Sequence, residues 1–540
     1  MAQPKKKKTD KLLNIVAIGA SAGGLGALKK LFSLIPEDSG LAFVVVVHLS
    51  PDHESVLAEL LQPSIDIPVL QVTKTLPLQA NHIYVIPPNA NLNTIDTHLR
   101  LSELEKKRVD RAPIDHFFQT LAETHDGESI GVILTGTGSD GTLGIRAIRE
   151  RGGVTIVQDP NEAEHDGMPR SAISTGLIDK VLPLQDIPKY LLELTQTQPK
   201  LKTLQSGIET SDKERKLIQK LFAMVRTRTN RDFTRYKLTT ITRRLQRRMQ
   251  MQQTAELENY LELVSDDSTE LKALSDEFLI NVTSFFRDPK VYEYLASEVI
   301  PKIFERREPE EQIRLWSVGC ATGEEAYSLA MLLVEEANRR DIAPDIQIFA
   351  SDLHEPSLAK GREGFYPSEI RGDVSDQRLN RFFIKEDGGY RIRKEIRDLI
   401  IFTAHNLLND PPFSRMDMIV CRNLLIYLKR EVQRDVFELF HYSLPSEGYL
   451  VLGTSEHMES NELYRTVDKE SSVYLRRNVP GPEPRLPVFP KIKRHFEEQP
   501  SQEKESKPAS YDSLHQQTLE RFAPPSMLLS AEYQVLHLSQ

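Results

Sequence analysis

Two cysteines and one tryptophan in 540 residues leave little scope for covalent or metal stapling. Cys320 and Cys421 sit in separate motifs, so neither a disulfide framework nor a zinc site is expected, and no metal is assigned. Long apolar runs are also missing. The longest, Leu41 to Val47, falls far short of the ~20 residues of a membrane span. The lysine-rich start, Met1 to Lys8, precedes Leu12 to Ala20, which is too short and too glycine-flanked for a signal peptide. There is no excess of positive charge either: 69 Lys and Arg against 78 Asp and Glu give −9, which argues against a generic phosphate-backbone binder. What is present is an ordinary folded mixture, 39% hydrophobic and 27% charged. At ~150 residues per domain the length predicts roughly 3 to 4 domains. The expectation is a reducing, cytoplasmic, multidomain α/β protein with no nucleic-acid partner and no membrane insertion.

The pattern divides the chain. Over residues 12–194, apolar runs (Asn14–Gly19, Leu41–His48, His82–Ile86, Ile130–Thr135, Val154–Gln158) alternate with helical periodicity, as in Leu25–Leu34 and Ile114–Thr124. Such alternation predicts a parallel, doubly wound sheet. Residues 195–211 are polar and weakly patterned, a linker. Residues 212–279 lack strand-like runs and carry Leu, Arg, Glu and Gln at helical spacing, which predicts a small helical domain. Strand–helix alternation returns in 280–476, with strands expected at Ile313–Val318, Ile346–Ser351, Ile400–Ala404, Met416–Cys421 and Tyr449–Gly453. Residues 479–508, rich in Pro, Glu and Lys, form a second linker. Residues 511–540 begin a helix-then-strand pattern too short to bury a core, so a further domain is expected to start there.

Asn14–Gly24 reads NIVAIGASAGG, and Gly19 to Gly23 fits a GxSxG elbow that exposes Ser21 on a sharp strand-to-helix turn. Short Gly/Ala/Ser turns of this kind are common without function. Two further residues change the reading. His48 ends the run LAFVVVVH, and Asp140 follows the strand Ile130–Thr135 in ILTGTGSDG. Alone, His48 reads as a satisfied strand-end histidine and Asp140 as a helix cap. Together all three fall at the carboxyl edge of a parallel sheet, where ligands bind. They supply a nucleophile, a base and an orienting carboxylate in an order, Ser-His-Asp, that matches none of the familiar triads. IGASAGG, VVVHLS, APIDHFF (Ala112–Phe118), GVILTGTGSDG and GMPRSAI (Gly167–Ile173) resemble the catalytic domain of the chemotaxis receptor methylesterase family, CheB. The resemblance implies hydrolysis of glutamyl methyl esters on receptor helices, extending to glutamine deamidation. It departs from the family in two respects. No receiver segment with a phosphorylatable aspartate precedes the module, which puts phosphorylation control in cis in doubt. Thr137 stands beside the expected oxyanion site where the family often has methionine; backbone N–H groups do the work of such sites.

A second glycine turn lies in IRLWSVGCATGEEAYSL (Ile313–Leu329), between an apolar strand and a helix that opens with Glu324 and Glu325. No pyrophosphate-binding GxGxxG is present, and two glutamates would repel phosphate, so a ligand with a cationic or hydroxyl-rich part is expected. The next strand ends in Asp352, placed to accept from ribose hydroxyls or merely to close a turn. NVTSFFRDP (Asn281–Pro289), WSVGCATGEEAYSLA, FASDLHE, HNLLNDPPF (His405–Phe413) and CRNLLIYL (Cys421–Leu428) resemble the S-adenosylmethionine-dependent chemotaxis receptor methyltransferase family, CheR, over residues 212–476. The resemblance implies a Rossmann-like domain with a small antiparallel subdomain between Gly364 and Phe402. It also implies a cofactor pocket formed by Asn281, Thr283, Arg287, Glu325, Asp352, Asn406, Leu407, Asn423 and Leu424. Arg287 is expected nearest the transfer centre, where it could bind the acceptor carboxylate. Both cysteines read as packing residues.

The helix segment TITRRLQRRM (Thr240–Met249) carries four arginines. A solvated face is the plain reading; by the resemblance, the segment faces the acidic methylation region of receptor helices. The short turn Glu386–Gly389 argues against docking of a receptor C-terminal peptide. Leu519–Ser539 resembles the start of a PAS sensory domain. The expected function is a fused methylesterase and methyltransferase acting on chemoreceptor cytoplasmic helices, gated by signalling partners or by the C-terminal region. The alternatives are a catalytically silent receptor-binding scaffold, or the same two activities on other proteins.

Overall fold

The computed structural model describes residues 13–47, 57–88, 90–102, 112–125, 129–196, 212–279, 281–307, 311–458, 462–480, 527–529 and 535–538. His48, most of both expected linkers and most of residues 511–540 lie outside them. The chain falls into two compact units, Met1–Pro487 and Val488–Gln540. In the second, the strands Met527–Leu529 and Val535–Leu538 pair antiparallel.

The first unit contains two large sheets. The N-terminal one uses β1 (Asn14–Ala20), β2 (Leu41–Val47), β3 (Val69–Gln71), β5 (His82–Val85), β8 (Ser129–Ile133), β9 (Val154–Gln158) and β10 (Lys180–Leu182). The order is β10-β9-β8-β1-β2-β5-β3, parallel throughout. Alternate residues enter separate cores: Val16, Ile18, Phe43 and Val45 pack on one side, Ile15, Ala17, Ala42 and Val44 on the other. Burial on both faces explains why these strands read as unbroken apolar runs. A three-stranded antiparallel sheet of β4 (Leu76–Pro77), β6 (Asn91–Ile95) and β7 (His98–Ser102) stands beside it. Its short, half-polar strands carry too weak a pattern to have been anticipated.

Residues 212–279 form four helices, Asp212–Thr229, Leu238–Met251, Leu257–Asp266 and Ser268–Phe278. They share a core with one face of the second sheet: Phe233, Tyr236 and Phe278 cluster with Trp316, Val318 and Ile419. That sheet comprises β11 (Ile313–Val318), β12 (Ile346–Asp352), β16 (Ile400–Ala404), β17 (Met418–Cys421), β18 (Tyr449–Leu452), β19 (Tyr464–Asp468) and β20 (Val473–Arg476). Its order is β16-β12-β11-β17-β18-β20-β19, all strands running one way except β20, which is antiparallel to both its neighbours. The opposite face packs on the subdomain of β13 (Phe365–Pro367), β14 (Phe383–Glu386) and β15 (Gly389–Ile392), an antiparallel sheet.

The two halves of this unit meet through charge. Among the described residues, no hydrophobic core cluster joins 13–196 to 212–480. Instead the Glu277 carboxylate accepts from Arg149 (2.8 and 2.7 Å), Arg244 (3.2 Å) and Arg247 (2.6 Å). Arg247 also pairs with Asp179, and Arg244 donates to the backbone carbonyls of Arg149 and Glu150 at 3.2 and 2.6 Å. This corrects the expected orientation of the arginine-rich segment. Arg244 and Arg247 are buried against the N-terminal half, where Arg244 caps the C-terminal carbonyls of the helix Thr142–Glu150, the end at which a cation is favoured, and Arg247 bonds the Gly153 carbonyl just beyond it. Burial alone would raise the Glu277 carboxyl, but the guanidinium groups of Arg247, Arg149 and Arg244 outweigh it and hold it below the usual range. Glu277→Ala removes the carboxylate that three arginines share, two of them buried, and should cost about 3–5 kcal/mol in denaturant titration of the full chain. A loss under about 0.5 kcal/mol would mean the network contributes nothing to holding the halves together.

Candidate active sites

Both parallel sheets direct their chemistry-bearing loops to the carboxyl edge. In the first, Ser21 follows β1 directly. Its N–H donates to the Thr135 carbonyl at 3.0 Å, and Thr135 in turn bonds the carbonyls of Ala22 and His165. A Cβ on Gly136 would lie 2.9 Å from Ser21 Cβ and 2.2 Å from Met168 Sδ, so only glycine lets that backbone approach the serine. Thr137 is exposed on the same loop. Asp140 sits past β8, with both carboxylate oxygens engaged: Oδ1 accepts from Asp115 N (3.0 Å) and Oδ2 from Ile114 N (3.2 Å). It therefore caps the helix Pro113–Thr124. Asp115 returns the favour, accepting from Gly144 N at 2.7 Å in the first turn of the helix that follows Asp140. Burial, reinforced by the Asp140 charge, pushes the Asp115 carboxyl up to about 8. This reciprocal capping was not foreseen; the aspartate in APIDHFF was its only trace.

In the second sheet one cavity gathers residues from five separate segments. Asn281, Thr283, Arg287, Glu325, Asp352, Asn406, Leu407, Asn423 and Leu424 all line it. Its volume is about 1270 Å³, solvent at the mouth included. The turn after β11 runs through left-handed Gly319, Ala321 and Gly323. Asp352 fastens that turn: its Oδ2 accepts from Ala321 N (2.9 Å) and its Oδ1 from His354 N (2.8 Å). Arg287 sits between Phe286 and Asp288, both at positive φ, a strained presentation held by Arg422 donating to the Arg287 carbonyl at 2.8 Å. Glu325 faces the cavity, accepting from Ser317 Oγ at 2.8 Å with Arg422 3.8 Å away. Glu324 does not line it; its carboxylate accepts from Thr322 Oγ1 at 2.6 Å.

Other contributors to this cavity were missed, among them Arg231, Tyr236 and Arg422. Arg231 and Tyr236 reach it from the helical domain, and Arg422 is buried behind Glu325. Glu456, also unforeseen, accepts four backbone N–H groups, from Asn423, Leu425, Ile426 and Gly453, and so sets the Asn423 loop. Burial raises the thiols of Cys320 and Cys421, which are free and enclosed. Among the described residues no cluster of metal-ligating side chains occurs, and no helix is long and apolar enough to cross a membrane.

The sequence profile of CheB methylesterase matches residues 16–191. The CheR methyltransferase all-alpha domain matches 216–279, and the CheR methyltransferase SAM binding domain 281–473. A Leptospira interrogans protein named as a protein-glutamate methylesterase/protein-glutamine glutaminase is 35% identical over 182 residues, 34% of this chain and 94% of its own. The chain belongs to the CheB and CheR families. Pseudomonas aeruginosa chemotaxis protein methyltransferase 1 is 35% identical to the CheR part over 190 residues, 34% of this chain and 69% of its own. A 104.1 kDa Rhodobacter capsulatus protein, from the hypE 3' region, is 36% identical over 513 residues and spans both parts. It covers 89% of this chain, while the chain spans about half of it, 52%.

S-adenosylmethionine is the cofactor of the CheR part, and the cavity's donor set fits it. Acidic Asp352 and Glu325 suit its hydroxyl and cationic groups. Burial pushes the Glu325 carboxyl up to about 7, against the pull of Arg422 and the Ser317 bond. A cationic ligand group received there must displace its proton below about pH 7. Calorimetric affinity for S-adenosylhomocysteine should therefore fall as pH drops from 8 to 6, approaching ~10-fold per pH unit. Glu325→Gln should bind more weakly with a flattened profile. An unchanged profile in that variant would remove Glu325 from the cationic end of the pocket.

Proposed function

We propose that the chain both writes and erases methyl esters on glutamate side chains of chemoreceptor-like proteins. What supports this reading is the juxtaposition in the CheR part: residues from five motifs, far apart in sequence, line one cavity at the carboxyl edge of a parallel sheet.

In the esterase reaction Ser21 Oγ attacks the ester carbonyl while His48 takes its proton. His48 then gives that proton to the departing methanol, and water activated by the same base hydrolyses the acyl-serine. Asp140 is assigned to orient His48, and the two amides on its carboxylate hold it in place. The transfer reaction asks less of the protein, because the cofactor supplies a methyl group already activated on a sulfonium sulfur. Asp352 would hold ribose hydroxyls, Glu325 an ammonium group, and Arg287 the acceptor carboxylate. Their task is positioning and exclusion of water. For Asp352 the ribose and turn roles are joined, since the same carboxylate fastens the glycine turn.

Two variants separate the halves. Ser21→Ala should abolish methanol release from a methylated receptor fragment and leave methyl transfer near wild type. Loss of both activities in a folded protein would contradict two independent sites. Asp352→Ala should weaken S-adenosylmethionine binding by about 1–3 kcal/mol, the cost of unpaired buried donors and a lost charge-assisted bond. Esterase activity should be untouched. Wild-type affinity in calorimetry would mean the ribose is held elsewhere.

A further inference from the structure

The acceptor site proposed for the CheR part requires a carboxylate beside Arg287, and one is already there. Glu150, the last residue of the CheB-part helix Thr142–Glu150, accepts from Arg287 Nη2 at 2.5 Å through Oε1. The same carboxylate lies near Tyr427, a second cavity-lining residue, whose hydroxyl is raised by burial and then by the Glu150 charge. Glu150 thus stands at the mouth of the transfer site although it belongs to the other enzyme.

Its placement is built. Arg244 grips the carbonyls of Arg149 and Glu150, Arg247 Nε grips the Gly153 carbonyl at 3.1 Å, and Arg149 reaches across to Glu277. A Cβ on Gly152 would touch the Arg243 side chain at 3.5 Å, so the turn after the helix is seated on the arginine-rich segment as well. Yet no hydrophobic cluster of the described residues bridges the seam. Between the halves lies a second cavity lined by Arg146, Arg149, Glu277, Glu324, His354 and Lys360, among others. A charged, cavity-bearing contact without an apolar core is the kind that opens and closes.

We propose that Glu150 is an internal occupant of the acceptor-carboxylate site, so that the docked esterase domain shields Arg287 from receptor glutamates until the seam opens. The inference rests on the methyltransferase reading above. An occupant of this kind lowers the fraction of acceptor-competent protein and raises the apparent KM for acceptor by the reciprocal of that fraction, with kcat unchanged.

The test compares wild type, Glu150→Ala and Glu150→Gln as full-length chains, with labelled S-adenosylmethionine and a purified receptor cytoplasmic fragment. Glu150→Ala should lower the acceptor KM about 5- to 20-fold, within the span of modest coupling, and leave kcat unchanged. Glu150→Gln should fall between the two. Added salt should lower the wild-type KM and barely move the Ala variant. Arg149→Ala, which loosens the clamp and leaves Glu150 in place, should lower the acceptor KM too, and it carries the test should Glu150→Ala fail to fold. An unchanged acceptor KM with a lower melting temperature would overturn the proposal and leave a structural ion pair. A fall in cofactor KM alone would also overturn it, placing Glu150 against the cofactor instead. Absence of methyl transfer in every variant, with hydrolysis intact, would mark failure of the methyltransferase reading itself, and the proposal would fall with it.

Discussion

The buried carboxylate of Glu277, shared by Arg149, Arg244 and Arg247, is the interaction on which the joining of the two halves depends. One arginine comes from the CheB part and two from the CheR helical domain that also carries Glu277, so docking adds the two-pronged Arg149 pair across the seam. Taking one anion and several cations out of water is expensive, and the attraction offsets that cost only if every group keeps its partners. Arg247 also pairs with Asp179, and Arg244 donates to the carbonyls that end the helix Thr142–Glu150. Docking by charge fixes orientation closely while leaving the two apolar cores independent. That independence lets each half be a complete enzyme fold.

Within each half, parallel strands do the placing. A strand buried on both faces offers reactive side chains no room along its length, so they collect where it ends. Ser21 follows β1, Asp140 follows β8, Asp352 ends β12, and Cys421 leads from β17 into Asn423. Two unrelated chemistries thereby use one architectural rule. The local means differ: glycine at position 136 admits the Ser21 turn, whereas in the CheR part left-handed residues 319, 321 and 323 open the turn fastened by Asp352.

Much of this could be read from the chain. The strands Val154–Gln158, Ile313–Val318 and Ile400–Ala404 have the anticipated bounds because an apolar run between turn residues is a local signal. The nine cavity residues could be gathered because each sits in a distinctive motif. What stayed hidden depends on long-range partners. Nothing local distinguishes an arginine bound for a solvated face from one bound for Glu277, so the Thr240–Met249 segment was assigned to the wrong surface. Glu456 lies in an unremarkable stretch, and its four amide donors come from two different loops. The β4-β7-β6 sheet escaped notice because its strands are short and half polar.

The central claim is that one chain makes and removes the same esters. It is tested most directly by mass spectrometry of a receptor fragment incubated with the full-length protein and S-adenosylmethionine, scoring each glutamate over time. Methyl esters should rise to a steady level while methanol continues to be released, and blocking the serine nucleophile should let the same glutamates fill completely. Esters that accumulate at positions the N-terminal half never hydrolyses would contradict the account.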